Sequence, residues 1–439
     1  MRTLFTAAAL AAFAGASAQG PARLTLQQAM DQAAQQSFQV RFSGMEAEKA
    51  EAKIKETLAI GLPQIAATGG LNNYIKLPTQ VIPNFFGDDP PTIEVQFGIP
   101  WSLNGAVQLN QLLFDGSYLV GLKATRALRD KSQLDLDKAR HDARTQAAKA
   151  YYAVLAAEEG VRLLGLGLPL LEKSAIDAQA MLDQGFMEST DVDRLTIQLA
   201  DTRNRQRNLQ KQADVARAFL AFVLGLPGGT PIELADSLPP LLDNSADKAL
   251  ADQAFNPDQH IDDKQANAML NLSELEVRHQ KAAYLPQLSG FINYQQQFSS
   301  LDFNPHDGPW FPSSLWGLQL NVPLFSSGMR KQRVAQALLS AKEAQLNLET
   351  TRQQLLTTHL QQQTVLNTAQ DNYATAKAQA DLARTIFERS SVKFNEGMGS
   401  SFELTQEHAN SLTAQQTYIQ SMVDLLQARA DMRKALDLY

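Results

Sequence analysis

Ile93-Glu94-Val95-Gln96-Phe97-Gly98-Ile99-Pro100-Trp101-Ser102-Leu103-Asn104-Gly105-Ala106-Val107-Gln108-Leu109-Asn110 is the stretch that separates the candidate folds. Its odd positions are apolar or small, and its even positions are polar or small. A half-buried strand needs only about four to eight residues of such alternation. Here it runs for about eighteen, near 60 Å if straight. That suits a tilted barrel strand extended beyond the lipid better than a soluble sheet. The expectation is one unbroken strand.

The pattern recurs more briefly as Trp316-Gly317-Leu318-Gln319-Leu320-Asn321-Val322. Tyr74, Trp101, Tyr294, Trp310 and Trp316 lie in or near these strands, where an interfacial girdle or a core would equally use them. Between paired strands lie loops holding Pro78, Pro83, Phe85, Phe86, Pro90 and Pro91, and Pro305, Pro309, Trp310, Phe311 and Pro312, read as ordered outer surface loops.

Around this stretch the chain is written twice, with a period of about 212 residues. Leu62-Pro63-Gln64-Ile65 returns as Leu285-Pro286-Gln287-Leu288. Gln108-Leu109-Asn110 with Leu113-Phe114-Asp115-Gly116 returns as Gln319-Leu320-Asn321 with Leu324-Phe325 and Gly328. Gln184-Gly185-Phe186-Met187-Glu188-Ser189 returns as Glu396-Gly397-Met398-Gly399-Ser400-Ser401. Each copy reads helix, strand, loop, strand, long helix, tight turn, helix. The plan divides the chain into an export signal (1–18), a first repeat (19–227), a linker (228–257) and a second repeat (258–439).

A first helix is expected from Thr25 to Ile60, ended by Gly61 and Pro63. Ser117 to Asp183 is helical in pattern, with Gly165-Leu166-Gly167-Leu168-Pro169 expected to kink or interrupt it. Met329 to Phe394 contains neither Gly nor Pro. That is roughly 95 Å of helix, too long for a compact domain, and points to an elongated bundle. Leu338, Leu348, Leu355, Leu366, Ala369, Tyr373, Ala380, Ala383, Phe387 and Phe394 form its coiled-coil stripe, with Arg352, His359 and Gln362 as imperfections.

Arg2, the apolar run Leu4 to Gly15 and Ala16-Ser17-Ala18 read as an export signal with a cleavage site. After it no apolar run approaches the ~20 residues of a membrane-spanning helix. If the mature chain crosses a membrane, it does so as strands. Four strands cannot close a barrel, so the barrel would be shared, and three protomers with about twelve strands form the smallest ring with a passable lumen.

The chain has no cysteine, which excludes disulfides, thiolate metal sites and a Cys nucleophile. Its net charge of −7 argues against a nucleic-acid surface. There is no phosphate loop, no H-E-x-x-H among the six histidines and no G-x-S-x-G, so no metal, cofactor or catalytic constellation is expected.

With the duplication, the strand openings and the glycine turns in place, the chain resembles the outer membrane efflux protein family of TolC-like channels, from Leu24 to about Leu438. The resemblance implies a mainly α, α+β fold: a homotrimer whose outer-membrane β-barrel takes four strands per protomer and continues as a long periplasmic α-helical barrel. It implies a passive exit duct of a tripartite efflux or type I secretion system, in outer-membrane lipid, with a periplasmic adaptor and an inner-membrane pump as partners. The adaptor-contacting tips would be Gly185, Phe186, Met187 and Ser189 with Gly397, Met398, Gly399 and Ser401. The aperture positions would be Asp191, Glu403, Gln406 and Phe394. Gln406 lacks the acid, Phe394 the hydroxyl and Gly399 the arginine that relatives can carry there. Asp191 and Glu403 equally fit plain helix N-terminal acids. A soluble periplasmic coiled-coil protein is the competing reading; an exported hydrolase is a more distant one.

Overall fold

A computed structural model describes residues 22–87, 89–242 and 247–439. The expected export signal, 1–18, lies outside the described residues. The chain divides into two compact units: one holds the chain up to Glu46, Ser132–Ala266 and Leu348–Tyr439, the other Ala47–Lys131 and Asn267–Asn347. These units cut across the sequence repeat, since each repeat supplies part of both.

The first unit is helical. A short strand, β1 (Ala22–Leu24), leads into α1 (Leu26–Gln36). Thr25 caps α1 reciprocally with Gln28, satisfying two amide donors that a helix start leaves orphaned. The expected single helix from Thr25 to Ile60 is in fact two, because Ser37 is extended (ψ 148°) and α2 (Phe38–Ile60) starts after it. The reason is tertiary: a Cβ on Gly225 would lie 2.2 Å from the Gln36 carbonyl oxygen, so another chain segment crosses at the break. Ala29, Met30, Ala33 and Val40 bury against Tyr151, Leu155, Leu220, Leu224, Leu425 and Met432.

The long helix α3 (Gly116–Asp183) runs through Pro169 without being interrupted there. An interior proline costs about 3 kcal/mol through one lost hydrogen bond and a ring clash. Buried side chains on both sides of it, Leu155 before and Leu171 after, outweigh that cost. After the first tip comes α4 (Ser189–Val223). The segment 228–257, left without structure by the sequence, folds as β6 (Ile232–Leu234), α5 (Leu238–Leu241) and α6 (Asp247–Ala251). β6 pairs in parallel with β1. The hydroxyl of buried Tyr151 ties this corner, its one proton shared between Leu24 O (2.8 Å) and Asp236 Oδ2 (2.9 Å). Its burial there raises its pKa, so it stays a donor.

The second unit carries the sheet. β2 (Gln64–Asn73), β5 (Trp101–Phe114), β7 (Gln287–Ser300) and β8 (Trp310–Asn321) lie in that spatial order, every neighbour antiparallel. A small separate hairpin, β3 (Thr79–Pro83) with β4 (Thr92–Gln96), is inserted in the first copy. It supplies the extra loop length of that repeat. The deciding stretch Ile93–Asn110 is therefore not one strand. It breaks between Gln96 and Trp101, where Gly98 takes φ +123° and Pro100 has no N–H for a ladder. Alternation survived the break because both pieces keep one face apolar.

The registers sort the sheet into two faces. Rows such as Ile65–Leu109–Ile292–Trp316 and Leu71–Leu103–Phe298–Trp310 share one face. Rows such as Thr68–Ala106–Gln295–Ser313 and Asn72–Ser102–Ser299 share the other. The apolar face is open to the surroundings: Ile65, Ile292 and Trp316 are all exposed. Large apolar side chains predominate on the first face, and amides and small polar groups on the second apart from Phe291, Phe311 and Leu315, an imbalance that suits a lipid-facing barrel wall. Ile292→Arg is expected to cost about 2 kcal/mol, between midplane and interfacial values, while Asn293→Arg on the opposite face costs little. Folding yield into lipid vesicles measures the difference. Equal yields would contradict the assignment of faces.

The second copy repeats the plan with α7 (Ile261–Ala282), the β7–β8 hairpin, α8 (Met329–Asn395) and α9 (Ser401–Ala435). A 3-10 turn at Pro257–Gln259 precedes it. Among the described residues no helix is long and apolar enough to cross a membrane.

Candidate functional site

The tips are built from one turn used twice. At the end of α3, Gly185 N donates to Leu182 O (2.9 Å) and Phe186 N to Met181 O (2.8 Å). At the end of α8, Gly397 N donates to Phe394 O (3.0 Å) and Met398 N to Lys393 O (2.9 Å). Both are the paired 6→1 and 5→2 bonds of a Schellman stop, which needs a left-handed residue at the first position past the helix. Gly185 (φ +80°) and Gly397 (φ +75°) supply it. The same stop ends α4 with Gly225 and α9 with Asp437 (φ 57°), so the repeat extends to both ends of each short helix.

The next helix then starts within a few residues. In the second tip Ser400 is the N-cap, its Oγ accepting from Glu403 N at 3.1 Å. In the first tip Glu188 holds that place without a side-chain cap. Gly399 is constrained by packing, since a Cβ would meet Phe394 N at 3.1 Å. A larger side chain there would have to push the turn outward.

The candidate residues fall into three groups. Gly185, Phe186, Gly397 and Met398 are exposed, and Phe186 (81%) and Met398 (75%) are bare apolar side chains in the turns. Met187 is half-buried against the tip core, and Ser189 is exposed. Glu403 and Gln406 are exposed on α9, Gln406 donating to Asn410 Oδ1 at 3.1 Å.

Phe394 is different. It is buried (2%) among Leu171, Ala178, Val192, Leu195, Phe387 and Leu404, so its ring fills the protomer's interior and faces no opening. Ser401 is buried too, and its Oγ donates to Asp191 Oδ1. Asp191 also accepts from Arg194 Nη1 at 3.2 Å. It is thus the knot that joins the first tip to the second. That Ser401–Asp191 link was not legible in the sequence, since neither residue marks a partner on a different helix. Only the offset of the duplicated turns, which brings α4 beside α9, could have pointed to it.

One further polar residue sits just behind the tip core. His408, on the same helix as Glu403, is buried, with its ring 4.8 Å from that of Phe387 and its Nδ1 2.8 Å from Gln198 Nε2. Burial, with Arg205 nearby, pushes the imidazole pKa down to about 4, against a smaller opposing effect of Asp201.

Among the described residues no group of three or more His, Asp or Glu side chains is placed to hold a metal ion. The arrangement offers no nucleophile with an adjacent base. What it offers is a helical bundle end with exposed apolar turns, exposed acids one turn further in, and, in the other unit, a sheet with an apolar outer face.

Comparison with known proteins agrees with this geometry. The family model described as outer membrane efflux protein matches residues 29–226 and 260–437. No curated protein matches the chain by sequence. Among solved structures, a membrane protein from Pseudomonas aeruginosa superposes with a TM-score of 0.72 at 17% identity, covering 94% of this chain and 92% of its own. The Campylobacter jejuni CmeC outer membrane channel gives 0.69 at 16% identity, covering 94% and 85%. The outer membrane protein VceC of Vibrio cholerae gives 0.67 at 14% identity, covering 94% and 95%. At such identities these likenesses establish the fold, and the family match carries the identity. With both repeats matched to that model, the chain belongs to the outer membrane efflux protein family, a channel-forming family and not one of enzymes.

Proposed function

We propose that this chain is one third of a trimeric exit duct, the outer-membrane component of a tripartite efflux or type I secretion system. Substrates would move through it passively, driven by an inner-membrane pump and handed over by a periplasmic adaptor. The observation that carries this reading is the four-stranded sheet with an apolar face and two strands, β2 and β8, that have no neighbour on their outer sides among the described residues. Open strand edges are not viable in lipid. Closing them on further copies with all neighbours antiparallel needs the alternation that the order β2-β5-β7-β8 provides. Three copies make a ring of about twelve strands.

The test is the mass and fractionation of the mature chain from cell envelopes. A detergent-requiring outer-membrane species near three times the mature protomer mass, which lies somewhat below the 48.2 kDa of the full chain, is expected. A monomer or dimer released without detergent would replace the duct by a soluble coiled-coil protein.

Adaptor contact fits the two tip turns, where Phe186, Met398 and Phe402 are exposed beside Gly185, Met187, Ser189, Gly397, Gly399 and the buried Ser401. Exposed apolar side chains clustered at one end of an element mark an interaction surface.

The same tips carry the acids proposed for the aperture. Glu403 is exposed, and a three-fold axis would triple its charge. Asp191 is bound to Arg194 and Ser401, so Glu403 should dominate the field. A Glu403→Gln/Asp191→Asn channel is expected to lose a several-fold preference for cations in single-channel recordings, most of it already lost in Glu403→Gln alone. Unchanged selectivity in the double variant would sink the assignment.

A further inference from the structure

The Gly165-Leu166-Gly167-Leu168-Pro169 segment of α3 has no counterpart in the second repeat. The tip glycines Gly185 and Gly397 set the two copies in phase. In that phase Leu163, Leu164, Leu166 and Gly167 fall on Thr375, Ala376, Ala378 and Gln379. The duplicated plan therefore does not ask for leucines and a glycine here. Neither does packing at Gly167, since a Cβ there would meet nothing within 4 Å. Its φ is not positive either. Glycine inside a helix is destabilising relative to alanine. The first repeat thus gives up helix stability at this point and leaves space.

That space is a recess of about 280 Å³ among α3, α8 and α9, wholly within the helical unit. Its apolar lining is Leu163, Leu164, Leu166, Leu170, Phe387 and Leu412. Arg384 and Glu388 also line it, with Arg384 Nε 3.8 Å from Glu388 Oε1. Its other polar residues come from one stripe of α9, His408, Ser411 and Gln415, spaced by three and four residues.

Two atoms of that stripe are unanswered. Gln198 Nε2 lies 2.8 Å from His408 Nδ1. An amide nitrogen only donates, so Nδ1 accepts and the neutral ring carries its proton on Nε2. Burial keeps the ring neutral. Among the described residues the Nε2–H has no acceptor. Gln415 Nε2 donates to Ser411 Oγ at 3.4 Å, and Gln415 Oε1 is buried without a partner. Buried donors and acceptors are ordinarily paired, so a donor and an acceptor both left over beside one recess call for an explanation.

We propose that the recess binds a small, neutral, flat aromatic molecule. An acceptor oxygen at one end takes the His408 Nε2–H bond, and a donor at the other end reaches Gln415 Oε1. The two residues are seven apart on α9, about 10 Å along its axis at 1.5 Å per residue. Oxygens at the two ends of a para-substituted ring lie roughly 6–7 Å apart, and two hydrogen bonds of about 2.9 Å cover the rest. Leucines and one phenylalanine around a few fixed polar groups are the usual lining of a small-molecule site. The opposite charges of Arg384 and Glu388 offer no net attraction to an ion, and an ion would lose its hydration among the leucines. A detergent or lipid chain would cover the apolar lining but leave both polar atoms unpaired.

The probe is para-hydroxyacetophenone, which carries a carbonyl at one end and a hydroxyl at the other. Para-ethylphenol lacks the carbonyl, acetophenone lacks the hydroxyl and ethylbenzene lacks both. Uptake by the full chain in detergent is measured by equilibrium dialysis against protein-free micelles at the same detergent concentration, so that partition into micelles cancels. Saturable uptake of one para-hydroxyacetophenone per protomer is expected. Para-ethylphenol and acetophenone should each bind about three- to tenfold more weakly, the worth of one neutral hydrogen bond. His408→Leu should erase the advantage over para-ethylphenol, and Gln415→Leu the advantage over acetophenone.

Gly167→Leu should abolish the uptake by filling the recess. It should also keep the fold, because its Cβ meets nothing and leucine is the better helix former. The ligand should raise the unfolding midpoint of the parent and not that of Gly167→Leu. Saturable uptake unchanged by Gly167→Leu would put the ligand elsewhere and overturn the proposal. Ethylbenzene bound as tightly as para-hydroxyacetophenone would make the recess a plain apolar slot, fit for a detergent or lipid chain, and overturn it too. So would uptake no greater than that of the micelles alone. If His408→Leu or Gln415→Leu fails to fold, the four ligands on the parent and the Gly167→Leu comparison still decide.

Discussion

Phe394→Ala is expected to remove about 3–5 kcal/mol from the stability of the helical unit, the usual cost of emptying an aromatic site in a packed core. Phe394 is buried between the last turns of α3 and α8 and the first turns of α4 and α9, touching the cluster of Leu171, Val192, Leu195, Phe387 and Leu404. These are the side chains that hold the two tips together, so the loss should be local as well as large. Denaturant unfolding in detergent should show a lower midpoint. Limited proteolysis should show earliest cutting near Gly185 and Gly397. Phe394→Leu should recover most of the loss, because it keeps apolar volume. A Phe394→Ala protein as stable as the parent would mean that the cluster does not set the tip's stability.

The second large effect is on pH. His408 is held neutral: Gln198 Nε2 lies 2.8 Å from its Nδ1, an arrangement in which the amide donates and the ring nitrogen accepts. Its pKa falls to about 4 from the ordinary histidine value of 6.5, mainly because burial disfavours the charged ring. Between those values the unfolded chain binds a proton that the folded chain does not. Stability is therefore fully present above about pH 6.5 and is lost as pH falls toward 4. The full loss is roughly 3 kcal/mol per protomer, from 1.36 kcal/mol per pKa unit. Glu388 and Arg384 line the adjoining groove, and their opposite charges leave the sign unchanged. Midpoints measured from pH 7.5 to 4.5 should fall for the parent and flatten for His408→Gln. Parallel slopes for the two proteins would remove His408 as the cause.

The sequence was a good guide where a rule acts over a few residues. The glycine turns at Gly185 and Gly397 and the gap-free helix from Met329 each depend on local backbone geometry, and each is in place. It misled where a local rule was overruled from a distance. Pro169 read as a kink or a break, yet α3 continues through it, with Leu155 and Leu171 buried before and after. The run from Thr25 to Ile60 read as one helix, yet the crossing at Gly225 splits it at Ser37. The stretch Ile93–Asn110 read as one strand because alternation is blind to a short interruption that preserves the faces.

For the candidate site the division is similar. The tip turns and the acid at 403 were legible, since glycine and a following helix start leave a local mark. That Phe394 is interior was not legible, because a coiled-coil stripe shows that a residue is apolar and not which neighbour covers it. The bond from Ser401 to Asp191 and the burial of His408 were equally invisible, being meetings of residues some 210 positions apart.

By itself, then, the sequence determined the duplication, the order of elements, the turns and the alternation that separates an apolar sheet face from a polar one. Tertiary structure alone decided which strand lies beside which, in what register, and which polar groups near the tips are tied down and which are left facing water. The reason is physical. Backbone conformation answers to nearest neighbours along the chain, whereas pairing and burial depend on surfaces that only meet once the chain has folded.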